Sequence, residues 1–393
     1  MTMASPSLSG TTRTADPALA PLFTPFEIGS LRIPNRLVMA PMTRAASPGG
    51  VPGTDVAEYY ARRARGGVGL IVTEGTIVGH AASVVPDGVP HFAGTEALAG
   101  WSRVVAAVHA AGGRIVPQLW HVGAYDGPDA VPDPAVAPVG PSGLGLSGAP
   151  LGSPMTETDI AAVIEAFARA AADARRLGFD GIELHGAHGF LIDQFLWSRT
   201  NLRTDRYGGG AAGRSRFGAE IVAACRAAVG PDFPIILRIS QWKMTDFDAR
   251  IADSPAELEA LLVPLAEAGV DAFHASTRRF WQPAFAGSSD TEPELEPGSG
   301  LGLAGWAKKV TGKPSIAVGS VGLEPSDFQS AFAGQGAAVA PLDLAAELVE
   351  RGDADLLAVG RLLVSDPEWT AKVRDGRTAE LRPFDPTALA SLT

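Results

Sequence analysis

Residues 156–190 read TETDIAAVIEAFARAAADARRLGFDGIELHGAHGF, and this stretch decides the fold. Thr156 and Asp159 have the spacing of a helix-capping box, and apolar residues then recur with helical periodicity. Gly178 is expected to end the helix, because the residue after a helix commonly needs a positive φ. The short apolar run Gly181–Leu184 follows, so the stretch predicts one helix that leads directly into one buried strand.

The same unit recurs along the whole chain. Two further helix ends, Gly269-Val270-Asp271 and Gly352-Asp353-Ala354-Asp355, resemble Gly178-Phe179-Asp180, and each precedes a short apolar run. Such runs are typical of parallel strands that are buried on both faces. The eight predicted strands are Arg36–Ala40, Val68–Thr73, Arg114–Leu119, Gly181–Leu184, Pro234–Ile239, Ala272–Ala275, Ser315–Val318 and Leu356–Val359.

Eight strands alternating with helices predict an α/β fold, a single-domain (β/α)8 TIM barrel over residues 21–393. An open doubly wound sheet is the alternative. Its usual marker is a G-x-G-x-x-G turn after the first strand, where this chain has Ala40-Pro41-Met42-Thr43-Arg44 instead. Two long loops, Asp126–Pro154 after strand three and Gln282–Gly302 after strand six, are expected on the side where barrel active sites lie.

Composition narrows the classes of partner. The 393 residues carry a formal net charge of -11, which repels nucleic acid and leaves a small molecule as the expected partner. No apolar run is long enough to span a membrane, and residues 1–20 are expected to be a disordered arm without the features of a secretion signal. Cys225 is the single cysteine, so no intrachain disulfide forms and a cytoplasmic location is expected. Monomer and homo-oligomer both stay open.

Active sites of barrels form at the C-terminal ends of the strands. Polar residues and glycines stand at or just past seven of these ends. They are Thr43 after strand one, Glu74 and Gly75 after strand two, Gln118, Trp120 and His121 at strand three, His185, His188 and Phe190 after strand four, Arg238 in strand five, Gly319 and Ser320 after strand seven, and Gly360 and Arg361 after strand eight.

The spacing of these residues leaves two choices open. Gly319, Gly360 and Arg361 stand where barrels often bind phosphate, or the glycines only turn the chain. His185 and His188 are either metal ligands, completed by Glu183 or His121, or paired hydrogen-bond donors to one oxygen atom.

Several long motifs resemble the old yellow enzyme family. They are His185–Leu196 (HGAHGFLIDQFL), Asn201–Gly209 (NLRTDRYGG), Asn35–Arg44 (NRLVMAPMTR), Thr73–Thr76 (TEGT) and Gln118–His121 (QLWH). The motifs also occur in the order that the family has, and the resemblance covers the chain from about Leu22 to Arg382. The resemblance implies an eight-stranded barrel with non-covalent FMN, and NADPH or NADH as the hydride donor.

The resemblance also implies roles for the cofactor-binding residues. Backbone of Ala40, Pro41 and Met42 would contact the flavin, Thr43 would bond its C4 oxygen, and Glu74 and Gly75 would lie beside the ring. Gln118 would hold the pyrimidine edge and Arg238 the N1/C2-oxygen side, where a fixed cation stabilises the reduced flavin. The remaining cofactor residues are Val318, Gly319, Ser320, Gly360 and Arg361, of which the last four would hold the phosphate.

The implied reaction is reduction of an activated C=C bond in an α,β-unsaturated carbonyl or nitro compound. His185 and His188 would bind the substrate oxygen, beside Trp120, while flavin N5 delivers hydride. The family's usual proton-donating tyrosine is replaced by Phe190. Tyr125 and Tyr207 are candidate substitutes. Isomerisation or desaturation of a natural-product enone is the alternative outcome, and a metal-dependent hydrolase or a non-enzymatic flavin carrier is the alternative class.

Overall fold

The computed structural model describes residues 16–127, 130, 135–285, 300–324 and 334–392. Its centre is a closed barrel of eight parallel strands, in which β1 pairs with both β8 and β2. The predicted (β/α)8 barrel is confirmed. The strands are β1 (Leu37–Met39), β2 (Leu70–Val78), β3 (Ile115–Trp120), β4 (Ile182–His188), β5 (Ile235–Lys243), β6 (Ala272–Ser276), β7 (Ser315–Val318) and β8 (Leu356–Val359).

Helices follow the strands around the outside of the barrel. The predicted capping box is present at the start of α3, where Thr156 Oγ1 accepts from the Asp159 amide and Gly178 ends the helix with a φ of 87°. The helices are α1 (Thr54–Arg65), α2 (Thr95–Ala110), α3 (Glu157–Leu177), α4 (Leu191–Leu196), α5 (Ala211–Val229), α6 (Pro255–Ala268), α7 (Leu303–Thr311), α8 (Asp343–Glu350), α9 (Arg361–Ser365) and α10 (Trp369–Arg374).

The three similar helix ends explain how neighbouring strands are held in register. The carboxylate of Asp180 accepts the first amide of β3, 2.8 Å from Ile115 N, and the carboxylate of Asp271 accepts the first amide of β5, at the same distance from Ile235 N. Asp355 does the same 2.9 Å from Ser315 N, at the start of β7. These three carboxylates, called here the aspartate staples, lie at the N-terminal ends of the strands, opposite the predicted site.

An N-terminal hairpin of Phe26–Ile28 and Leu31–Ile33 packs its apolar side chains against residues of the barrel interior, including Val72 and Ile236. Before it, Pro17–Phe23 forms a 3-10 helix with Leu19 buried. The predicted arm, residues 1–20, overlaps this helix at residues 17–20. Residues 1–15 lie outside the described residues.

The strands with functional residues are longer than predicted. β2 continues through Glu74 and Gly75, β4 through His185 and His188, and β5 to Lys243. Both long loops begin at the C-terminal side of the strands, as expected. The loop after β3 carries a short parallel pair, Val139–Gly140 with Ser153–Pro154. Residues 128–129, 131–134 and 286–299 of the two loops lie outside the described residues.

None of the described helices has the length and apolar character that a membrane span requires.

Candidate active site

A cavity of about 810 Å³ opens at the C-terminal ends of the barrel strands. It brings together residues from seven predicted strand ends that are far apart in the sequence. Predicted site residues that line it are Ala40, Pro41, Met42, Thr43, Gly75, Gln118, Trp120, His185, His188, Phe190, Arg238, Val318, Gly319, Ser320, Gly360 and Arg361.

Glu74 is the predicted site residue that lies outside the cavity lining. Its side chain turns toward the segment after β1, where Oε2 accepts the backbone amides of Arg44 at 2.8 Å and Ala45 at 3.0 Å. Burial raises the pKa of the Glu74 carboxyl to about 7, although both amide bonds and the Arg44 charge oppose this shift. The Glu74 side chain thus holds the segment that directly follows the Ala40–Thr43 wall of the cavity.

A glycine and an oriented amide lie side by side in one wall of the cavity. A Cβ at Gly75 would lie 2.7 Å from the ring of Trp120, so no larger residue fits at this position without displacing that ring. Beside it, Gln118 donates from Nε2 to Glu183 Oε1 at 2.7 Å, and the other carboxylate oxygen of Glu183 contacts His274 Nδ1 at 2.6 Å. The Gln118 amide is thereby oriented, with its carbonyl oxygen left for a ligand donor.

Aromatic rings surround the two histidines. The ring centroids of His185 and His188 are 5.1 Å apart, and Phe190 lies 4.9 Å from His185. Phe190 also packs edge-on against Trp120 at 4.8 Å, while Trp242 lies 4.4 Å from His188. The pair therefore sits in a mostly apolar environment, which strengthens hydrogen bonds to any oxygen placed between the rings.

His188 has an unusual backbone conformation. Its φ of 66° is disfavoured for residues other than glycine and is held by several hydrogen bonds. The His188 amide donates to Ser240 Oγ at 2.8 Å, and the next amide, Gly189 N, donates to Asp193 Oδ2 at 2.6 Å. Asp193 in turn forms a fully buried ion pair with Lys243 at 2.7 Å. These hydrogen bonds fix the backbone at His188 and Gly189, and with it the direction in which the His188 ring points.

Both histidines are neutral in this environment. Burial, reinforced by the positive charge of Arg238, lowers the pKa of His185 and of His188 well below the usual range. Arg238 is itself buried, and burial lowers the pKa of its guanidinium to about 10, against the attraction of Glu183. At neutral pH the site therefore contains two neutral imidazoles beside a fixed cation.

The ends of β7 and β8 form the other side of the cavity. Gly319 has a φ of 145°, and a Cβ there would lie 2.4 Å from Thr277 O. Ser320 adopts a φ of 54°, and its hydroxyl accepts from Arg361 Nη2 at 3.2 Å. Close backbone, a hydroxyl and a guanidinium are the groups that phosphate sites use.

The metal-ligand interpretation of the histidine pair does not fit the geometry. Glu183 is engaged by Gln118 and His274, and His121 Nε2 lies 2.9 Å from His80 Nδ1. Within the described ranges, no three His, Cys, Asp or Glu side chains are grouped so that they could hold a metal ion.

The two candidate proton donors lie in different places. Tyr125 lines the cavity, with its ring centroid 5.0 Å from that of Phe190. The Tyr207 hydroxyl instead donates to Glu220 at 2.9 Å, outside the cavity lining, and burial raises the pKa of Tyr207 to about 12. Tyr125 is therefore the candidate that the cavity can use.

Sequence reasoning missed the contribution of strand six. Ser276, Thr277 and Arg278 follow or end β6 and line the cavity, as Trp242 does from the end of β5. The signal was present, because the same inspection of strand ends would have found them. The pairing of Glu183 with His274 had no such signal, since it depends on side chains that meet only across the barrel.

Comparisons with known proteins agree with this arrangement. The family model described as the NADH:flavin oxidoreductase / NADH oxidase family matches residues 21–380. The chain belongs to this family. The resemblance to the old yellow enzyme family is thereby confirmed, and with it an NAD(P)H-dependent oxidoreductase whose cofactor is FMN.

The relatives of this chain include plant and bacterial enzymes. The chain is 36% identical over 372 residues to 12-oxophytodienoate reductase 7 of Oryza sativa subsp. japonica, covering 90% of this chain and 88% of that protein. It is 36% identical over 371 residues to an NADH oxidase of Thermoanaerobacter brockii, covering 92% of this chain but only 52% of that longer enzyme. The structure of morphinone reductase in complex with tetrahydroNAD aligns with a TM-score of 0.72 at 31% identity, covering 94% and 93% of the two chains.

The residues present fit the FMN of this old yellow enzyme family member. Arg238 Nε is buried without a hydrogen-bond partner in the described part of the chain, and the Gln118 carbonyl faces the same cavity. A ligand with both an anionic edge and a donor edge satisfies both groups, as the pyrimidine ring of a flavin does. Gly319, Ser320 and Arg361 line the other side of the cavity with groups of the kind that phosphate sites use.

Proposed function

We propose that this enzyme reduces an activated C=C bond of an α,β-unsaturated carbonyl or nitro compound, with NADPH or NADH as the reductant. The observation that carries the proposal is the pair of neutral, buried imidazoles whose rings lie 5.1 Å apart in the cavity. Two such donors can bind a single substrate oxygen. When bound, FMN supplies the hydride and accepts the next one from the coenzyme.

His185 and His188 are proposed to stabilise the charge that develops on the substrate oxygen as its β-carbon accepts hydride. Because burial and Arg238 keep both rings neutral, they act as hydrogen-bond donors and not as acids. Removing one preorganised oxyanion donor commonly costs about 3 kcal/mol of transition-state stabilisation. Trp120 and Phe190 pack beside them and are proposed to exclude water from the substrate's apolar face.

The cofactor residues are proposed to act through the contacts described above. Ala40, Pro41, Met42, Thr43 and Gly75 would form the wall against the ring, supported by Glu74 from behind. Arg238 would place its charge at the edge that becomes anionic on reduction, and Gln118 would accept from the opposite donor. Val318, Gly319, Ser320, Gly360 and Arg361 would hold the phosphate end.

Protonation of the substrate α-carbon completes the reduction, and Phe190 has no proton to give. We propose Tyr125 as the donor, because it lines the cavity and its ring packs on Phe190. A specific observation also keeps a second function in view. Phe190 fills the expected donor position with an apolar ring, so an unprotonated enolate could rotate and return hydride, which gives net isomerisation. Desaturation to a natural-product enone is the reverse reaction: a saturated carbonyl compound would lose a hydride from its β-carbon and a proton from its α-carbon, and oxygen would take up the two electrons.

One anaerobic stopped-flow experiment tests the proposed function. The bound flavin is reduced by NADH or NADPH and then mixed with a graded set of enones, nitroalkenes and oxygen. Rapid reoxidation by the unsaturated compounds, with saturated product found by mass spectrometry, is the expected result. Reoxidation by oxygen alone would contradict the proposal, while recovery of an isomerised substrate would favour the second function. His185→Ala and His188→Ala are each expected to slow reoxidation by roughly 100-fold.

A further inference from the structure

The hydroxyl of Ser276, at the end of β6, bridges two groups of the cavity. It lies 2.8 Å from His188 Nε2 and 3.2 Å from Arg238 Nη2, and the side chain is buried. The proposed function gives this serine no role. Its position decides which of the two ring nitrogens of His188 carries the proton, since neutral imidazole has only one N–H.

The bond from Arg238 fixes one side of the bridge. A guanidinium can only donate, so Ser276 Oγ is the acceptor of that bond. The hydroxyl then still has its own proton to place. Among the described residues, His188 Nε2 is the acceptor available to it. If Nε2 donated to Ser276 instead, the hydroxyl proton would be buried without a partner, at a cost of about 1–3 kcal/mol. The bridge therefore runs from Arg238 to Ser276 to His188 Nε2.

His188 Nδ1 is consequently the protonated nitrogen. It makes no hydrogen bond in the described part of the chain and is not among the buried atoms, so it is open to the cavity that His188 lines. His185 has the opposite arrangement. Its Nδ1 is buried without a partner, and its Nε2 is open to the cavity. A buried N–H without an acceptor is disfavoured, so the proton of His185 lies on Nε2.

We propose that Ser276 is a positioning residue that holds His188 as its Nδ1–H tautomer, so that the two histidines present different ring nitrogens, His185 Nε2–H and His188 Nδ1–H, as donors to one substrate oxygen. This inference rests on the proposed function for the oxygen that is bound. The tautomers themselves follow from Arg238, Ser276 and the burial of each nitrogen. A site with His188 protonated at Nε2 would direct a lone pair at the substrate oxygen and repel it.

Nitrogen NMR reads the tautomers directly. Protein labelled with ¹⁵N in histidine and loaded with FMN is measured by long-range ¹H–¹⁵N correlation, in which protonated and unprotonated ring nitrogens have widely separated shifts. The chain has 7 histidines, and the signals of His188 are those lost in His188→Asn. The variants are Ser276→Ala, Ser276→Thr, which restores a hydroxyl, and Ser315→Ala. Ser315 is a matched control. Its hydroxyl is also buried, but the residue stands at the start of β7, at the opposite rim of the barrel.

The expected wild-type spectrum shows His188 protonated at Nδ1 and His185 at Nε2. Ser276→Ala should give a mixture of His188 tautomers and lower kcat/KM for 2-cyclohexenone about tenfold, the effect of losing one hydrogen bond. Ser276→Thr and Ser315→Ala should keep the wild-type spectrum and rate. A wild-type His188 protonated at Nε2, or a spectrum unchanged in Ser276→Ala, overturns the inference. Failure of the wild type to reduce any enone would instead refute the proposed function, and the tautomers would still be read from the spectra.

Discussion

Phe190 packs against Trp120, His185 and Tyr125 at the position where the family pattern places an acid. Phe190→Tyr adds one hydroxyl to a ring that already packs between these neighbours. We expect it to speed reduction of weakly activated enones by about tenfold or more, since general acid catalysis contributes about 10²–10⁴-fold. The rate of flavin reoxidation, measured with a weakly activated enone and with a nitroalkene, checks this. An equal effect on both substrates would argue against a missing acid.

Tyr125 provides a second prediction at the same place. Tyr125→Phe should slow reoxidation by a weakly activated enone about 10- to 100-fold, if the Tyr125 hydroxyl supplies the proton. The same change in a Phe190→Tyr background should have little effect, because the new hydroxyl replaces the old one. Tyr207→Phe, outside the cavity, is the control. Equal losses in both backgrounds would show that Tyr125 acts on packing alone.

Glu74 carries a prediction on pH. Its pKa is raised by burial to about 7, above its unfolded value of about 4.5, so the folded state binds the extra proton between these values. The contribution of Glu74 to the free energy of unfolding is therefore complete at low pH. It falls by on the order of 3 kcal/mol as pH rises from about 4.5 to 7. Glu74→Gln keeps an acceptor for both amides and should flatten that part of the profile. Urea unfolding at pH 5 and pH 7.5 measures the slope of unfolding free energy against pH, with exposed Glu165→Gln as the control. An unchanged slope in Glu74→Gln would contradict the assignment.

At the scale of elements, the aspartate staples join each of three helix ends to the start of a strand. Asp271→Ala leaves the Ile235 amide and Arg226 without this carboxylate. We expect a loss of about 1.5–3 kcal/mol of unfolding free energy, because bonds to charged groups lie in this range. Denaturant unfolding measures this loss, and kcat at 25 °C should stay unchanged because the staple is at the opposite rim from the cavity. Asp173→Ala, which breaks an exposed pair with Arg176, should cost under about 1 kcal/mol. A stable Asp271→Ala with a lowered kcat would reverse this interpretation.

The same scale shows what the sequence could predict. All eight strands were found, because each is a short apolar run between helices. Three of the predicted strands end too early, at Thr73, Leu184 and Ile239, because polar residues begin after these positions. The strands continue through these polar residues because groups on other strands accept or donate their hydrogen bonds. The His188 amide, for example, donates to the hydroxyl of Ser240. Local patterns do not contain such partners, which is also why the roles of His274 and of the Lys243–Asp193 pair could not be assigned from sequence.

The whole molecule provides a test of cofactor binding. A ligand that binds only the folded state stabilises it by about 2.7 kcal/mol at 100 times its Kd. Flavin-free protein should therefore melt at a lower temperature than protein with excess FMN. Riboflavin, which lacks the phosphate, should stabilise less at the same concentration. Arg361→Ala should remove most of the difference between FMN and riboflavin, measured by differential scanning fluorimetry. Equal stabilisation by the two flavins in the wild type would place the phosphate elsewhere.

At this scale the net charge of -11 could be read from composition, but the cationic interior of the cavity could not. Arg238 and Arg361 come from β5 and the end of β8, 123 positions apart in the numbering of the chain. Only closure of the barrel brings them to one cavity, and composition does not contain that closure.

The aspartate staples also have a consequence for how this protein can change. They fasten the barrel at one rim, while every residue proposed to meet the substrate is at the other. New loops or side chains at the mouth can therefore be introduced without breaking the hydrogen bonds of the aspartate staples. An engineered variant with another substrate should keep most of the parent's unfolding free energy. Directed evolution of this chain would do well to mutate the mouth freely and leave Asp180, Asp271 and Asp355 untouched.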